Sequence, residues 1–361
     1  VDVQMGGQSA GQNAILISGN EAAGEAAIRA GCTFYAGYPI TPQNELTAYM
    51  ADQLPLRGGT FIQAESELAA INMVYGASAA GARAMTSSSS PGVSLKQEGI
   101  SYLAGSELPA VIVNVMRGGP GLGNISPSQA DYYQATRGGG HGDYRTIALA
   151  PGTVQEVADL TYLAFDLADK YRTPVMLLSD GMLGQMMEGA SFDHLPPPSP
   201  PEKPWAVTGR PGRARNEVHS FYATAEALAE TNRRLQARYA EICRAEARHE
   251  LFGPPDAEVL LVAYGTCARI CRRVVEEAPR TLPFKVGLFR PITLWPYPQA
   301  ALRAPADGLR GVMVVEMSAG QMVDDARLAV EGACPVELVA RVGGEVPTAA
   351  EVTQALKAAF G

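Results

Sequence analysis

The chain has 361 residues, 47% hydrophobic and only 18% charged, which is enough apolar material for two domains with full cores. A net charge of −8 without a basic patch excludes a nucleic-acid binder, and no polybasic or lipidation motif points to a membrane. The opening VDVQMGGQSAGQNA lacks a cationic start and an apolar centre, and no uncharged apolar run reaches membrane-spanning length, so a cytoplasmic protein is expected.

In chain order, residues 1–14 are rich in Gly, Gln and Ser and read as a flexible arm. Asn20 stands where it would cap a helix over 21–30 that stops at Gly31. A short strand over 33–36 then breaks at GYPITP, because two prolines three apart forbid a continuing strand or an uninterrupted helix. Pro42 suits a first helical turn and Thr41 the N-cap before it. That places a hydroxyl and backbone N–H groups at the carboxyl end of a strand, where open α/β sheets bind ligands.

The run LAAINMVYGASAAGA (68–82) is small or apolar nearly all round and predicts a buried helix. Glu67 leads its inward row with Ala70, Ile71 and Val74, and Glu65, two residues earlier, points off that face. Glu67 is therefore either an exposed acid complementing the helix dipole or a buried carboxylate that needs a partner. A strand at 85–86 opens into Ser87-Ser88-Ser89-Ser90-Pro91-Gly92, read either as a capped turn or as donors lining a site, and then a helix to about Gly105.

AVIVNVM (110–116) reads as a buried parallel strand running straight into Arg117 and a glycine-rich loop, RGGPGLGN. Arg117 is either a surface arginine with an internal acidic partner or a guanidinium set to grip a carboxylate. His141, among the glycines of RGGGHGDYR, is a flexible-loop residue or an acid/base group in a mobile lid.

A helix over 154–170 and a strand over 174–179 complete the alternating βα pattern of a doubly wound domain. LPPPSPP (195–201) is an extended linker, followed by a long charged helix over 222–251 with Arg233, Arg234, Arg238, Glu241 and Arg244 on solvated faces. Strands over 259–263, 284–289, 311–315 and 336–340 with intervening helices make a second α/β domain. Gly265-Thr266 opens one of those helices and is a candidate anion site, and LWPYP (294–298) reads as a structural loop. The expected division is 1–14 arm, 15–193 first domain, 194–254 linker and long helix, and 255–361 second domain. Five scattered cysteines fit neither a disulfide framework nor the four close thiolates of an iron–sulfur cluster, and no metal site is expected in this chain.

GYPITP with the AESELAAINMVYGAS helix resembles the thiamin-diphosphate-dependent 2-oxoacid:ferredoxin oxidoreductases, in particular the alpha-type subunit. The resemblance runs through SSSSPGVSLKQEG, NVMRGGPGLGNISPSQADYYQATRGGGHGDYR, GLFRPITLWPYP and VEMSAGQMVDDARLAV, covering roughly residues 15 to 361. It is closest to the branch acting on branched-chain 2-oxoacids such as 3-methyl-2-oxobutanoate. The 2-oxoglutarate branch shares YPITP but differs in the glycine-rich segment after Arg117.

This resemblance implies a thiamin pyrimidine-binding domain joined to a transketolase-C-like domain, both doubly wound and mainly parallel. It implies Glu67 as the carboxylate that meets the thiamin ring, with Glu65 as the alternative, and Thr41 and Arg117 as holders of the 2-oxoacid. Tyr38, Pro39, Ile40, Ser89, Ser90, Asn124 and His141 are the further expected cofactor contacts. No GDG-type diphosphate motif occurs, so Mg²⁺, the diphosphate and a [4Fe-4S] cluster are expected on partner chains. The implied partners are a beta-type subunit carrying thiamin diphosphate and iron–sulfur, a gamma-type subunit, a ferredoxin-like subunit and ferredoxin, with coenzyme A as co-substrate. The alternatives are the same chemistry on 2-oxoglutarate or another 2-oxoacid, or a non-catalytic scaffold subunit.

Overall fold

The computed structural model describes residues 13–210 and 212–361. In the first domain strands and helices alternate: β1 (Ile15–Ser18), α1 (Gly19–Arg29), β2 (Phe34–Gly37), α2 (Asn44–Leu56), β3 (Thr60–Gln63), α3 (Glu67–Ala79), β4 (Ala84–Ser88) and α4 (Ser90–Gly105). There follow β5 (Ala110–Met116), α5 (Tyr132–Thr136), β6 (Ile147–Leu149), α6 (Val154–Tyr171), β7 (Pro174–Asp180), α7 (Gly181–Gln185) and β8 (Met187–Ala190). The extended linker leads to α8 (Ala225–Ala245). The remainder is β9 (His249–Phe252), β10 (Val259–Val262), α9 (Gly265–Thr281), β11 (Val286–Pro291), β12 (Thr293–Trp295), α10 (Gln299–Ala306), β13 (Gly311–Glu316), α11 (Met322–Val330), β14 (Val336–Ala340) and α12 (Ala349–Phe360).

Two doubly wound sheets result. The larger has the order β12-β6-β7-β5-β4-β2-β3, parallel except for β12, with α1, α2 and α6 packed together and α3 packed on α4. Its central strands β5 and β7 are buried at every residue, as continuous apolar runs in parallel sheets require. The smaller sheet is β14-β13-β10-β11-β9, with only β9 antiparallel, and β1 pairs with β8 as a separate ribbon. No helix among the described residues is long and apolar enough to cross a membrane.

Several expectations change in three dimensions. Helix α1 is capped by Ser18, not Asn20: Ser18 and Glu21 form a reciprocal capping box. Asn20 instead donates to the Pro42 carbonyl (2.8 Å) and to Glu45, tying α1 to the loop after β2. Thr41 is not an N-cap either, because it lies in a turn and α2 starts after Gln43, whose amide is drawn into the core. Helix α3 is buried on one face only, that of Glu67, Ala70, Ile71, Val74 and Ser78, while Leu68 stands 47% exposed on this chain.

The long helix ends at Ala245, and residues 249–251, expected to be helical, belong to β9 at the edge of the second sheet. Arg234 and Arg238 do not merely face solvent; both bind Glu107, docking α8 on the first domain. LWPYP is only partly a loop, because Thr293–Trp295 crosses to the first sheet and pairs antiparallel with β6. All five cysteines are free, four of them buried. Residues 1–12 of the expected arm lie outside the described residues, and Asn13 donates to Asp193.

Candidate active site

After β2 the chain moves outward to β3, then returns to the other side of β2 for β4. The connections leaving β2 and β4 therefore diverge, and a crevice opens outside the carboxyl ends of these strands. Three segments border it: residues 38–43 after β2, Ser89-Ser90 after β4, and Arg117 after β5.

A buried polar network holds the first segment. Gln43 Oε1 accepts from Ser87 Oγ (2.6 Å) and Thr47 Oγ1 (3.1 Å), and the Tyr35 hydroxyl bridges the same two side chains. With Gln43 fixed, Tyr38 and Pro39 are held out at the rim, and Ile40 and Thr41 lie half-buried below them.

Arg117 is 7% exposed. Its Nη1 donates to the Thr41 carbonyl (2.9 Å), its Nη2 to the Leu122 carbonyl (3.0 Å), and its buried Nε meets no acceptor. No carboxylate pairs with it among the described residues, so the acidic partner of a structural arginine is missing. Its backbone N–H donates to Ser90 Oγ (3.0 Å), which donates in turn to Asp131 Oδ2 (2.6 Å). Asn114 completes this brace, donating to Asp131 and accepting from the Ser90 N–H. Burial raises the Asp131 carboxyl pKa, opposed by the hydrogen bonds from Ser90 and Asn114.

Glu67 occupies the first position of α3 and is 6% exposed, whereas Glu65 is exposed ahead of the helix. Its carboxylate reaches across to α4: a Cβ built on Gly92 would stand 2.6 Å from Glu67 Oε1 and closer still to Ser88 Oγ. Only a glycine admits that approach. At the end of β4, Thr86 Oγ1, Ser88 Oγ and Ser89 Oγ are buried without hydrogen-bond partners, Ser88 beside the same Gly92. A buried carboxylate and three orphaned hydroxyls fit a flat heterocycle with donors and acceptors on its edge, as an aminopyrimidine has.

The fold thus brings Thr41 to Arg117, and Ser89 and Ser90 to the same crevice as Glu67. Two other expected contacts have partners within this chain. Asn124 donates to the Gly343 carbonyl of the second domain (2.8 Å) and accepts from the Ser126 N–H, so it clamps the glycine-rich loop. His141 is exposed; its carbonyl accepts from Ser101, eleven residues and roughly 16 Å along α4 from Ser90. Gln43, Gly92, Lys96, Asn114 and Asp131 did not emerge from the sequence reading. Asn114 carried a signal, as the lone polar residue in a buried strand that must find a partner.

The pattern of the family described as pyruvate flavodoxin/ferredoxin oxidoreductase, thiamine diphosphate-binding, matches residues 25–231. That of pyruvate:ferredoxin oxidoreductase core domain II matches residues 257–352. The ketoisovalerate oxidoreductase subunit VorB of Methanothermobacter thermautotrophicus is 51% identical over 346 residues, 96% of this chain and 98% of that protein. The 2-oxoglutarate synthase subunit KorA of the same organism is 38% identical over 93% of this chain and 96% of that one. Among solved structures, a 2-oxoglutarate:ferredoxin oxidoreductase from Magnetococcus marinus, with 2-oxoglutarate, coenzyme A and succinyl-CoA bound, superposes with a TM-score of 0.83 at 28% identity. The match covers 97% of this chain and 66% of that one. A split-gene transketolase with 15% identity and a TM-score of 0.61 shares the fold.

Proposed function

On the premise that this chain belongs to the pyruvate flavodoxin/ferredoxin oxidoreductase family, as a subunit of a 2-oxoacid:ferredoxin oxidoreductase, we propose that its substrate is the branched-chain 2-oxoacid 3-methyl-2-oxobutanoate. The observation that carries the site assignment is a pair of opposite charges, Glu67 and Arg117. Both are buried and flank the start of α4, Glu67 against Gly92 and Arg117 against Ser90, and neither has an ion-pair partner within 4.0 Å among the described residues. Each is suited to a ligand of the opposite character.

Arg117, aimed by Thr41, Leu122 and the Asp131–Ser90 brace, binds the substrate carboxylate, and the Thr41 hydroxyl orients the 2-oxo group. Glu67 holds a proton at the ring nitrogen of the aminopyrimidine, with Ser88 and Ser89 beside it. Thiamin diphosphate, when bound, supplies the carbon nucleophile and takes up the electrons released with CO₂. RGGPGLGN offers no second cation for a distal carboxylate, and Leu122 and Ile125 stand exposed there, which supports an apolar acyl group. The identity to VorB supports the same substrate. Diphosphate, Mg²⁺ and [4Fe-4S] belong in this reading to a beta-type partner. Gamma-type and ferredoxin-like subunits complete the complex, which passes electrons to ferredoxin and the acyl group to coenzyme A.

The test is kinetic. In the complex purified with its co-purifying chains, kcat/KM for 3-methyl-2-oxobutanoate should exceed that for 2-oxoglutarate by at least about tenfold. A preference for 2-oxoglutarate overturns the substrate assignment. Turnover of 2-oxoacids by the chain alone with an artificial acceptor overturns the shared site.

A further inference from the structure

Lys96 is one of the largest fully buried side chains in the protein, with no exposed surface. A buried ammonium is costly unless it is paired. Yet Lys96 Nζ makes one hydrogen bond, to the main-chain carbonyl of Glu67 (3.3 Å), and has no carboxylate within ion-pair distance among the described residues.

The packing explains how it gets there. Gly92, Lys96 and Gly99 follow one another at helical spacings of four and three, so they lie on one face of α4. That face meets α3 through Glu67 and Ile71, themselves four apart. A Cβ on Gly99 would stand 2.5 Å from Ile71, just as one on Gly92 would meet Glu67, so the two glycines bring the helices close. Lys96 fills the space between these contacts, its stem in the core and its ammonium under the first turn of α3.

We propose that Lys96 is a positioning residue for Glu67: its ammonium anchors the first turn of α3 and favours the charged form of the Glu67 carboxyl group. The proposal rests on the reading of Glu67 as the carboxylate that faces the aminopyrimidine. A cation on the protein side of Glu67 lowers the energy of the carboxylate, so a proton shared with a ring nitrogen shifts toward the ring.

Burial lowers the Lys96 pKa to about 8, and Glu67 opposes that shift. Lys96 therefore remains mostly charged at pH 7. Glu67 is the charged group that acts on it. Glu65 is exposed ahead of α3, Glu98 is exposed on the far side of α4 and bound by Tyr102, and Asp131 faces Ser90 near the start of α4. Tyr144 reaches the adjoining Gln97, and β4 and β5 present hydroxyls and the Asn114 amide.

The test has two readouts. The chain contains five lysines, so isotope-labelled lysine NMR can follow each ammonium, with Lys96→Met assigning the signal. Lys96 should titrate well below an ordinary lysine, and lower still in Glu67→Gln. An unchanged Lys96 titration in Glu67→Gln overturns the coupling. In the assembled complex, thiazolium hydrogen–deuterium exchange should slow about tenfold in Lys96→Met near neutral pH, with its acid limb displaced upward by about one unit. A wild-type pH profile in Lys96→Met overturns the proposal, since a filler of the helix interface would be replaced by methionine without moving it. Glu67→Gln should slow the same exchange by at least about 10². A wild-type rate there overturns the reading of Glu67 itself, whatever Lys96 titration shows.

Discussion

Arg117 donates both terminal nitrogens to main-chain carbonyls and keeps a buried Nε with no acceptor. A guanidinium held this way is already oriented before any anion arrives, so little freedom is lost when one binds. Arg117→Ala should raise KM for the 2-oxoacid about ten- to a hundredfold, the usual weight of a charged hydrogen bond. Thiamin binding, followed by calorimetry in the assembled complex, should stay nearly unchanged. Wild-type kinetics in the variant would reduce Arg117 to a brace between the loops of Thr41 and Leu122. At this scale the sequence was informative where chemistry and strand ends coincide: Thr41 and Arg117 each follow a readable strand. It was silent about Asp131 and Gln43, because nothing local distinguishes a polar residue whose partner is 17 or 44 positions away.

Helices α3 and α4 form the wall of the crevice, and glycines set their separation. Gly92→Ala places a methyl against Glu67 and Ser88, so the carboxylate must move. The variant should fold, and complex activity should fall by about 10² or more, since displacements of about 1 Å cost that much. Gly76→Ala is the control: Gly76 is exposed in α3, and a Cβ there meets nothing within 4 Å. It should stabilise the chain by about 0.4–1 kcal/mol in thermal unfolding. Equal activity loss in both variants would remove the steric argument. The inward row of α3 was legible because a period of 3.6 shows which residues share a face. The exposure of its other face was not, because small apolar residues look alike whether they pack on a core or stand at a surface. Strand β9 was absorbed into the preceding charged helix, and β12 into a proline-rich loop, since three or four residues carry no distinctive period.

The two sheets are joined by a shared interior. One apolar cluster runs from the first domain through Leu260, Val262, Tyr264 and Phe289 of the second, while a separate cluster fills the second domain's far side. Gly265-Thr266 binds an anion that the protein itself supplies. Asp180, at the end of β7, accepts from the Thr266 hydroxyl (2.8 Å) and N–H (3.2 Å), and also caps α7. Asp180→Ala leaves those buried donors unanswered and should destabilise the chain by about 3 kcal/mol, read as a lower denaturant midpoint. An unchanged midpoint would show that the apolar interface alone docks the domains. Gln129 adds to the junction, exchanging hydrogen bonds with Met317 and donating to the Tyr264 carbonyl.

Local order along the chain determined the βα alternation and the segments that follow the carboxyl ends of the strands. Each depends on a period or a helix-breaking residue within a few positions. The positions of Glu67, Thr41 and Arg117 at element ends were readable for the same reason, whereas the roles proposed for them came from the family resemblance. Tertiary structure alone decided that β4 returns beside β2 to open the crevice and that β12 crosses to the first sheet. It also decided that Lys96 is sealed beneath Glu67. Strand order and the partner of a buried charge arise from contacts between residues far apart in the chain, which no local pattern encodes.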